Sequence, residues 1–274
     1  MNWELNVIEV RTMKSVAYGD ASTNYRPIWS YDGAKFAAFE EIDNPQSDSS
    51  YYSIKIVDTE KDIITNWRIG EDNNAAVRSL TWSPDGNTIA FLQGRNIAYL
   101  NTSTGDTTVT NFSLADSLSI TAISWHPDGD KISLCVTYIH RNLYRGYIDS
   151  TSNSIYMICP YANNLKDLTP VVNYGLKWYN YFPDNLDWNF DGTMMLLSSD
   201  HYKILIMDLY EGEIKPIGYV YGNSACWSKD GNYILYQTNY WTSMSLTQGD
   251  FYITDINGSF QHLMMKGRGL ADWH

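Results

Sequence analysis

The sequence predicts an all-β protein, a β-propeller of four-stranded antiparallel blades, and three observations predict it. The pattern W-x-x-D-G occurs five times, at residues 29–33, 82–86, 125–129, 188–192 and 227–231. Successive tryptophans lie 53, 43, 63 and 39 residues apart, and a sixth, Trp273 in "ADWH", follows 46 residues after the fifth. These spacings fall near the roughly 40–50-residue period of propeller blades. Between the copies the chain alternates apolar with polar residues, is enriched in Tyr, Ile, Trp and Thr, and shows no apolar stripe of helical period.

Taken in order, the N-terminal "ELNVIEVRT" (4–12) and "KSVAYG" (14–19) read as the third and fourth strands of a blade. Each motif then closes a first strand and opens a second: "KFAAFE" (35–40), "TIAFLQ" (88–93), "KISLCV" (131–136), "TMMLLS" (193–198) and "YILYQT" (233–238). Third strands end on an acid or amide in "SIKIVD", "NIAYLN", "KILIMD" and "DFYITD", at Asp58, Asn101, Asp208 and Asp255, while "SIYMIC" ends on Cys159. Weaker fourth strands follow, as in "GEIKPIGYV" (212–220) and "GSFQHLMM" (258–265). The C-terminal "GLADWH" (269–274) reads as another first strand. The two chain ends thus predict a composite or partial sixth blade with first, third and fourth strands and no second. Either the last blade has three strands or the chain is a piece of a longer protein. Residues 1–274 are expected to form a single propeller domain.

Within the motif the chemistry reads as structural. Trp29, Trp82, Trp125, Trp188, Trp227 and Trp273 are large enough to wedge between blades. Asp32, Asp85, Asp128, Asp191 and Asp230 cap tight turns completed by Gly33, Gly86, Gly129, Gly192 and Gly231. Spaced around a ring, these aspartates sit too far apart to work as a catalytic pair. The five motifs resemble the TolB-type repeat, a WD-like β-propeller repeat with a W-S-P-D-G core that also occurs in tricorn-type proteases and prolyl oligopeptidase-like peptidases. The resemblance spans roughly residues 4–274 and implies the propeller fold and, as TolB-type propellers commonly have, a protein or peptide partner. TolB-like relatives are often periplasmic, whereas Met1 as a native start would mean cytoplasm. Only the second repeat keeps every core letter: Tyr31, Phe190 and Lys229 replace the proline, and His126 and Asn189 the serine.

Composition narrows the function classes. With 44% hydrophobic and 15% aromatic residues, the chain can bury a large core. A net charge of −12 with no basic stripe argues against a nucleic-acid partner and an anionic membrane surface. No apolar run approaches a membrane span. Cys135, Cys159 and Cys226 lack metal spacing and are expected to be buried, with a disulfide or metal role for Cys135 as the alternative. The five histidines stand singly, so neither a metal nor another cofactor is expected. No G-x-S-x-G elbow is present; "GNSAC" (222–226) fails at its last position.

Loop length points to one face of the ring. Second-to-third connections are short in repeats two and four but enlarged in repeat one (40–52), repeat three (137–153) and repeat five (238–250). The longest inter-blade connection, 168–185, lies on the same predicted face. Long loops on a rigid scaffold carry function, and Tyr and Trp suit contact surfaces. The candidate binding residues are therefore Tyr138, His140, Tyr144, Tyr147, Trp178, Tyr179, Tyr181, Tyr240 and Trp241, with packing of these aromatics onto the blades as the alternative. The leading expectation is a non-enzymatic scaffold that binds a protein or peptide. A substrate-gating propeller of a larger peptidase comes second, and a carbohydrate- or small-molecule-binding propeller third.

Overall fold

The computed structural model describes residues 3–9, 11–21, 26–43, 50–69, 77–110, 118–141, 148–161, 169–172, 183–199, 203–241, 246–266 and 271–273. A two-stranded sheet, β1 (Trp3–Glu9) with β2 (Lys14–Ala21), precedes five four-stranded antiparallel sheets. Blade one is β3 (Ile28–Trp29), β4 (Lys35–Asp43), β5 (Ser50–Asp58) and β6 (Ile63–Ile69). Blade two is β7 (Val77–Trp82), β8 (Thr88–Gln93), β9 (Asn96–Asn101) and β10 (Thr107–Val109). Blade three is β11 (Leu118–Trp125), β12 (Ile132–Arg141), β13 (Ile148–Ile158) and β14 (Thr169–Val172). Blade four is β15 (Asn185–Trp188), β16 (Met194–Ser198), β17 (Lys203–Asp208) and β18 (Glu213–Tyr221). Blade five is β19 (Asn223–Trp227), β20 (Tyr233–Trp241), β21 (Leu246–Asp255) and β22 (His262–Met265). Each blade pairs its strands in sequence order, so the protein is a β-propeller.

The motif builds the same turn five times. Each aspartate Oδ1 accepts the backbone N–H two residues on, at Ala34, Asn87, Asp130, Thr193 and Asn232, over 2.9–3.1 Å. In three copies the motif serine also donates to that oxygen at 2.6 Å. The glycine follows in the left-handed region, with φ between 68° and 82°, where a side chain would be strained. These bonds favour the ionised carboxyl, and all five aspartates are held below the ordinary carboxylate range. The two serine replacements keep the turn by other means: in one, His126 Nδ1 accepts the Asp128 N–H at 3.2 Å. In the other, Asn189 accepts the Met194 N–H, and Thr193 takes over as donor to Asp191.

The core sits between blades. Trp82 packs against Ile28, Phe39 and Ile54 of blade one, Trp125 among apolar residues of blades two and three, and Trp188 beside Cys135 and Ile155 of blade three. Trp227 packs on Leu196 and Ile206 of blade four. The indole N–H groups are spent on short-range ties: Trp82 Nε1 donates to Ile28 O, Trp188 Nε1 to Ser133 Oγ and Trp227 Nε1 to Asp187 O. A buried indole with its donor satisfied is the arrangement that lets Trp serve as a wedge.

Three of the enlarged connections are mostly not loops. In blade one the pairing of β4 with β5 continues to Asp43 opposite Ser50, in blade three to Arg141 opposite Ile148, and in blade five to Trp241 opposite Leu246. In blade two it stops at Gln93 opposite Asn96. At about 3.3 Å per residue, β12, four residues longer than β8, extends about 13 Å further. The alternation in segments such as "TYIH" lets the hairpin run on where loops are expected. A second departure is Cys159, which is exposed, while Cys135 and Cys226 are buried. It follows β13 at the third-strand end, where the other repeats place a polar turn residue, Asp58, Asn101, Asp208 or Asp255.

Candidate functional site

The first strands line the axis, and at the end of the ring carrying the D-G turns they enclose a pocket of about 100 Å³. Its lining includes Arg26, Trp29, Tyr31, Leu80, Ser124, Asp187, Phe190, Lys229, Asp272 and Trp273. Two rules of the repeat put these residues there. Polar residues directly before a motif tryptophan tie neighbouring blades at the axis: Thr81 Oγ1 accepts the Trp125 N–H at 2.9 Å, and Asp187 Oδ2 accepts the Trp227 N–H at 2.8 Å. Asp272 Oδ2 does the same for the Trp29 N–H at 2.7 Å, which brings residues 271–273 to the axis beside blade one. The residue two after each tryptophan points along the turn face. Where the family core has proline, Tyr31 donates its hydroxyl to Trp125 O at 3.1 Å and its ring lies 6.2 Å from that of Phe190. Blade one thereby reaches blades three and four across the axis.

Beneath this aromatic cover lies a buried charge cluster. Arg26 Nη1 donates to Ala225 O at 3.0 Å and lies 3.8 Å from Asp272 Oδ1, while Nη2 lies 3.6 Å from Asp187 Oδ1. Its Nε is buried without a partner among the described residues. Burial alone would lower the guanidinium's pKa, but Asp272 and Asp187 together outweigh it and hold it above its ordinary value. Burial is also the largest influence on Asp187. It pushes that carboxyl up to about 7, with Arg26 pulling down and Asp272 pushing further up. The Tyr31 hydroxyl is likewise raised, chiefly by burial and then by Asp187. Among the described residues no three His, Cys, Asp or Glu side chains converge as metal ligands would.

The opposite end of the ring carries the three long hairpins, whose strands include Tyr138, His140, Tyr240 and Trp241. Tyr138, in β12, packs against the core between blades two and three, and its hydroxyl lies 2.8 Å from that of Tyr156. That hydrogen bond, more than burial, raises its pKa to about 12. His140 pairs with Ser150, Tyr240 with Thr247 and Trp241 with Leu246, all within the extended part of their hairpins. Tyr144, Tyr147, Trp178, Tyr179 and Tyr181 lie outside the described residues. Glu40, at the base of the blade-one hairpin, forms a 2.9 Å ion pair with Lys55.

Sequence reasoning passed over Arg26, Asp187 and Asp272. The signal was present in "LDW" and "ADW", where an acid directly precedes a motif tryptophan, and in the three residues that replace proline.

With this geometry in view, the parallels among solved structures are of fold. A candidate TolB from Agrobacterium tumefaciens superposes with a TM-score of 0.63 at 15% identity, over 98% of this chain and 93% of that one. The chain carries a TolB-like β-propeller fold. The β-propeller domain of the Trilobed protease from Pyrococcus furiosus gives a TM-score of 0.54 at 18% identity, covering 99% and 79% of the two chains. An oligogalacturonate lyase from Vibrio parahaemolyticus gives 0.53 at 13% identity, covering 86% and 68%. No protein-family model matches the sequence, and no curated protein does. The chain therefore shares its architecture with proteins of unrelated activity, and its function rests on its own surfaces. No helix among the described residues is long and apolar enough to cross a membrane.

Proposed function

We propose that this propeller is a non-enzymatic scaffold that binds a protein or peptide partner across the hairpin face. The observation that supports it is the placement of long hairpins on blades one, three and five, alternating with the short hairpin of blade two. Strands held in register from the ring outward carry a docking surface on a rigid base, so little ordering entropy is lost in them when a partner docks. Aromatic anchors among Tyr138, His140, Tyr144, Tyr147, Trp178, Tyr179, Tyr181, Tyr240 and Trp241 then supply most of the affinity, as aromatic hot spots do. The gating-propeller reading is weaker, because Tyr31 and Phe190 cover the axis where a substrate would have to pass.

The test is to select peptide binders on the immobilised protein and to measure them against the double variant Trp178→Ala with Trp241→Ala. A loss of affinity of 100-fold or more, with Tm nearly unchanged, is the expected result. Binders indifferent to the double variant would remove the hairpin face from the argument, and a large fall in Tm would assign both residues to packing.

A further inference from the structure

The axial pocket at the D-G-turn end is lined by polar groups that the fold leaves without partners. Arg26 is on that lining, with a side chain only 10% exposed. A guanidinium carries five N–H donors, and a buried one ordinarily finds acceptors for them. Among the described residues Arg26 makes a single hydrogen bond, from Nη1 to Ala225 O at 3.0 Å, and that oxygen is shared with Asn185 Nδ2 at 2.9 Å. Its Nε is buried with no acceptor. The two carboxylates stand back from it: Asp187 Oδ1 is 3.6 Å from Nη2 and Asp272 Oδ1 is 3.8 Å from Nη1, both longer than a hydrogen bond. Each carboxylate gives its other oxygen to a backbone N–H, of Trp227 and of Trp29, so these gaps cannot close without breaking a tie between blades.

The pocket next to these groups has a volume of about 100 Å³ and walls that include Trp29, Tyr31 and Phe190. Phe190 is 52% exposed, so its ring borders both the pocket and solvent. Aromatic walls around a few convergent polar groups are the usual form of a small-molecule site. The polar groups select the chemistry of the ligand. An anion would meet the carboxylates of Asp187 and Asp272, and a cation would meet the guanidinium between them. A hydroxyl avoids both conflicts, because one oxygen donates to a carboxylate and accepts from a guanidinium N–H. Two hydroxyls on neighbouring carbons match the two gaps, one between Arg26 and Asp187, the other between Arg26 and Asp272. They would reproduce the hydrogen bonds of any water they displace.

We propose that the axial pocket binds the edge of a neutral sugar, with a vicinal diol seated between Arg26 and the carboxylates of Asp187 and Asp272 and the ring packed on Phe190. The ligand stops at the mouth and does not traverse the axis, which Tyr31 and Phe190 span. The site lies at the opposite end of the ring from the hairpin face, so either reading can fail without the other.

The probes are the methyl glycosides of glucose, galactose and mannose, with glucuronate as the anionic control and protonated glucosamine as the cationic one. They are titrated into the intact protein and followed by tryptophan fluorescence and isothermal calorimetry. At least one neutral glycoside should bind one-to-one at millimolar concentration or below, at least tenfold more tightly than either charged control. Phe190→Ala, at an exposed position, should weaken binding at least threefold with Tm unchanged. Asp187→Asn should weaken it at least tenfold, because the amide oxygen must keep the Trp227 N–H and its NH2 then faces the diol where an acceptor is needed. The double variant Trp178→Ala with Trp241→Ala should leave sugar binding as it is. Four results would each overturn the proposal. They are no saturation by any neutral glycoside at tens of millimolar, which leaves water as the occupant, a charged control that binds as tightly, binding indifferent to Phe190→Ala or to a folded Asp187→Asn, and binding lost in the hairpin-face double variant.

Discussion

Replacing Asp272 by alanine should open the ring between blades five and one. The carboxylate does two things at that seam, accepting the Trp29 N–H at 2.7 Å and facing Arg26 at 3.8 Å. Breaking a buried ion pair by removing one partner costs about 3–5 kcal/mol, and a buried N–H stripped of its acceptor about 1–3. Arg26 keeps Asp187 and the Ala225 carbonyl, which holds the total below the sum of the two figures, at about 3–5 kcal/mol. For a chain of this size that is a fall in Tm of about 6–20 °C. Asp272→Asn separates the two roles, since the amide oxygen still takes the Trp29 N–H while the charge is gone. It should lose less than the alanine variant. Equilibrium denaturation of both variants, followed by near-UV circular dichroism at pH 8, makes the comparison. A loss below about 1 kcal/mol for Asp272→Ala, the range of an exposed ion pair, would refute the reading that Asp272 holds the seam between blades five and one.

Asp187 predicts an unusual pH dependence. Its carboxyl titrates near 7 in the folded protein and near 3.9 in an unfolded chain, so between these values the folded state holds the extra proton. The stability this contributes is complete below about pH 4 and is lost as pH rises through 7. Asp187→Asn should therefore gain in Tm relative to the parent between pH 5 and 7.5 and level off above pH 8; a difference that shrinks over that range would contradict the sign. The motif aspartates act oppositely, because their depressed pKa values mean stability that is lost on acidification. Gly192→Ala should cost more than Gly231→Ala. Both have left-handed backbones, worth about 1–2 kcal/mol against alanine, but only at Gly192 would the new Cβ come within 2.7 Å of the His126 ring. That ring is pinned against Trp188 and hydrogen-bonded to Gly192 O, so equal denaturation midpoints would show that it yields freely.

Much of the architecture was legible because the repeat reports on itself. A Trp followed by Asp-Gly at fixed spacing specifies a strand end, a left-handed turn and a second strand in local terms, and five copies fix the blade order. The N-terminal "ELNVIEV" was readable for the same reason and falls on strand β1, whereas "ADWH", expected as a first strand, forms no strand over residues 271–273. The axial cluster was not legible, because Arg26, Asp187 and Asp272 lie 161 and 85 residues apart in sequence and meet only when the ring forms. Nor could pattern distinguish a long loop from a long hairpin in blades one, three and five. Polar alternation such as "IDSTSN" suits either, and pairing with the partner strand decides it.

The bond from Trp29 to Asp272 joins residues 243 positions apart, whereas ties between consecutive blades reach back only about one repeat. Each blade can therefore stack on its predecessor as soon as it is complete, at modest cost in chain entropy, while the seam must wait for nearly the whole sequence. Folding would then proceed as a growing arc whose leading face stays greasy until Arg26 finds its two carboxylates. The interval before that meeting is when the chain is most exposed to aggregation, and its length is set by the slowest contact in the molecule rather than by the number of blades.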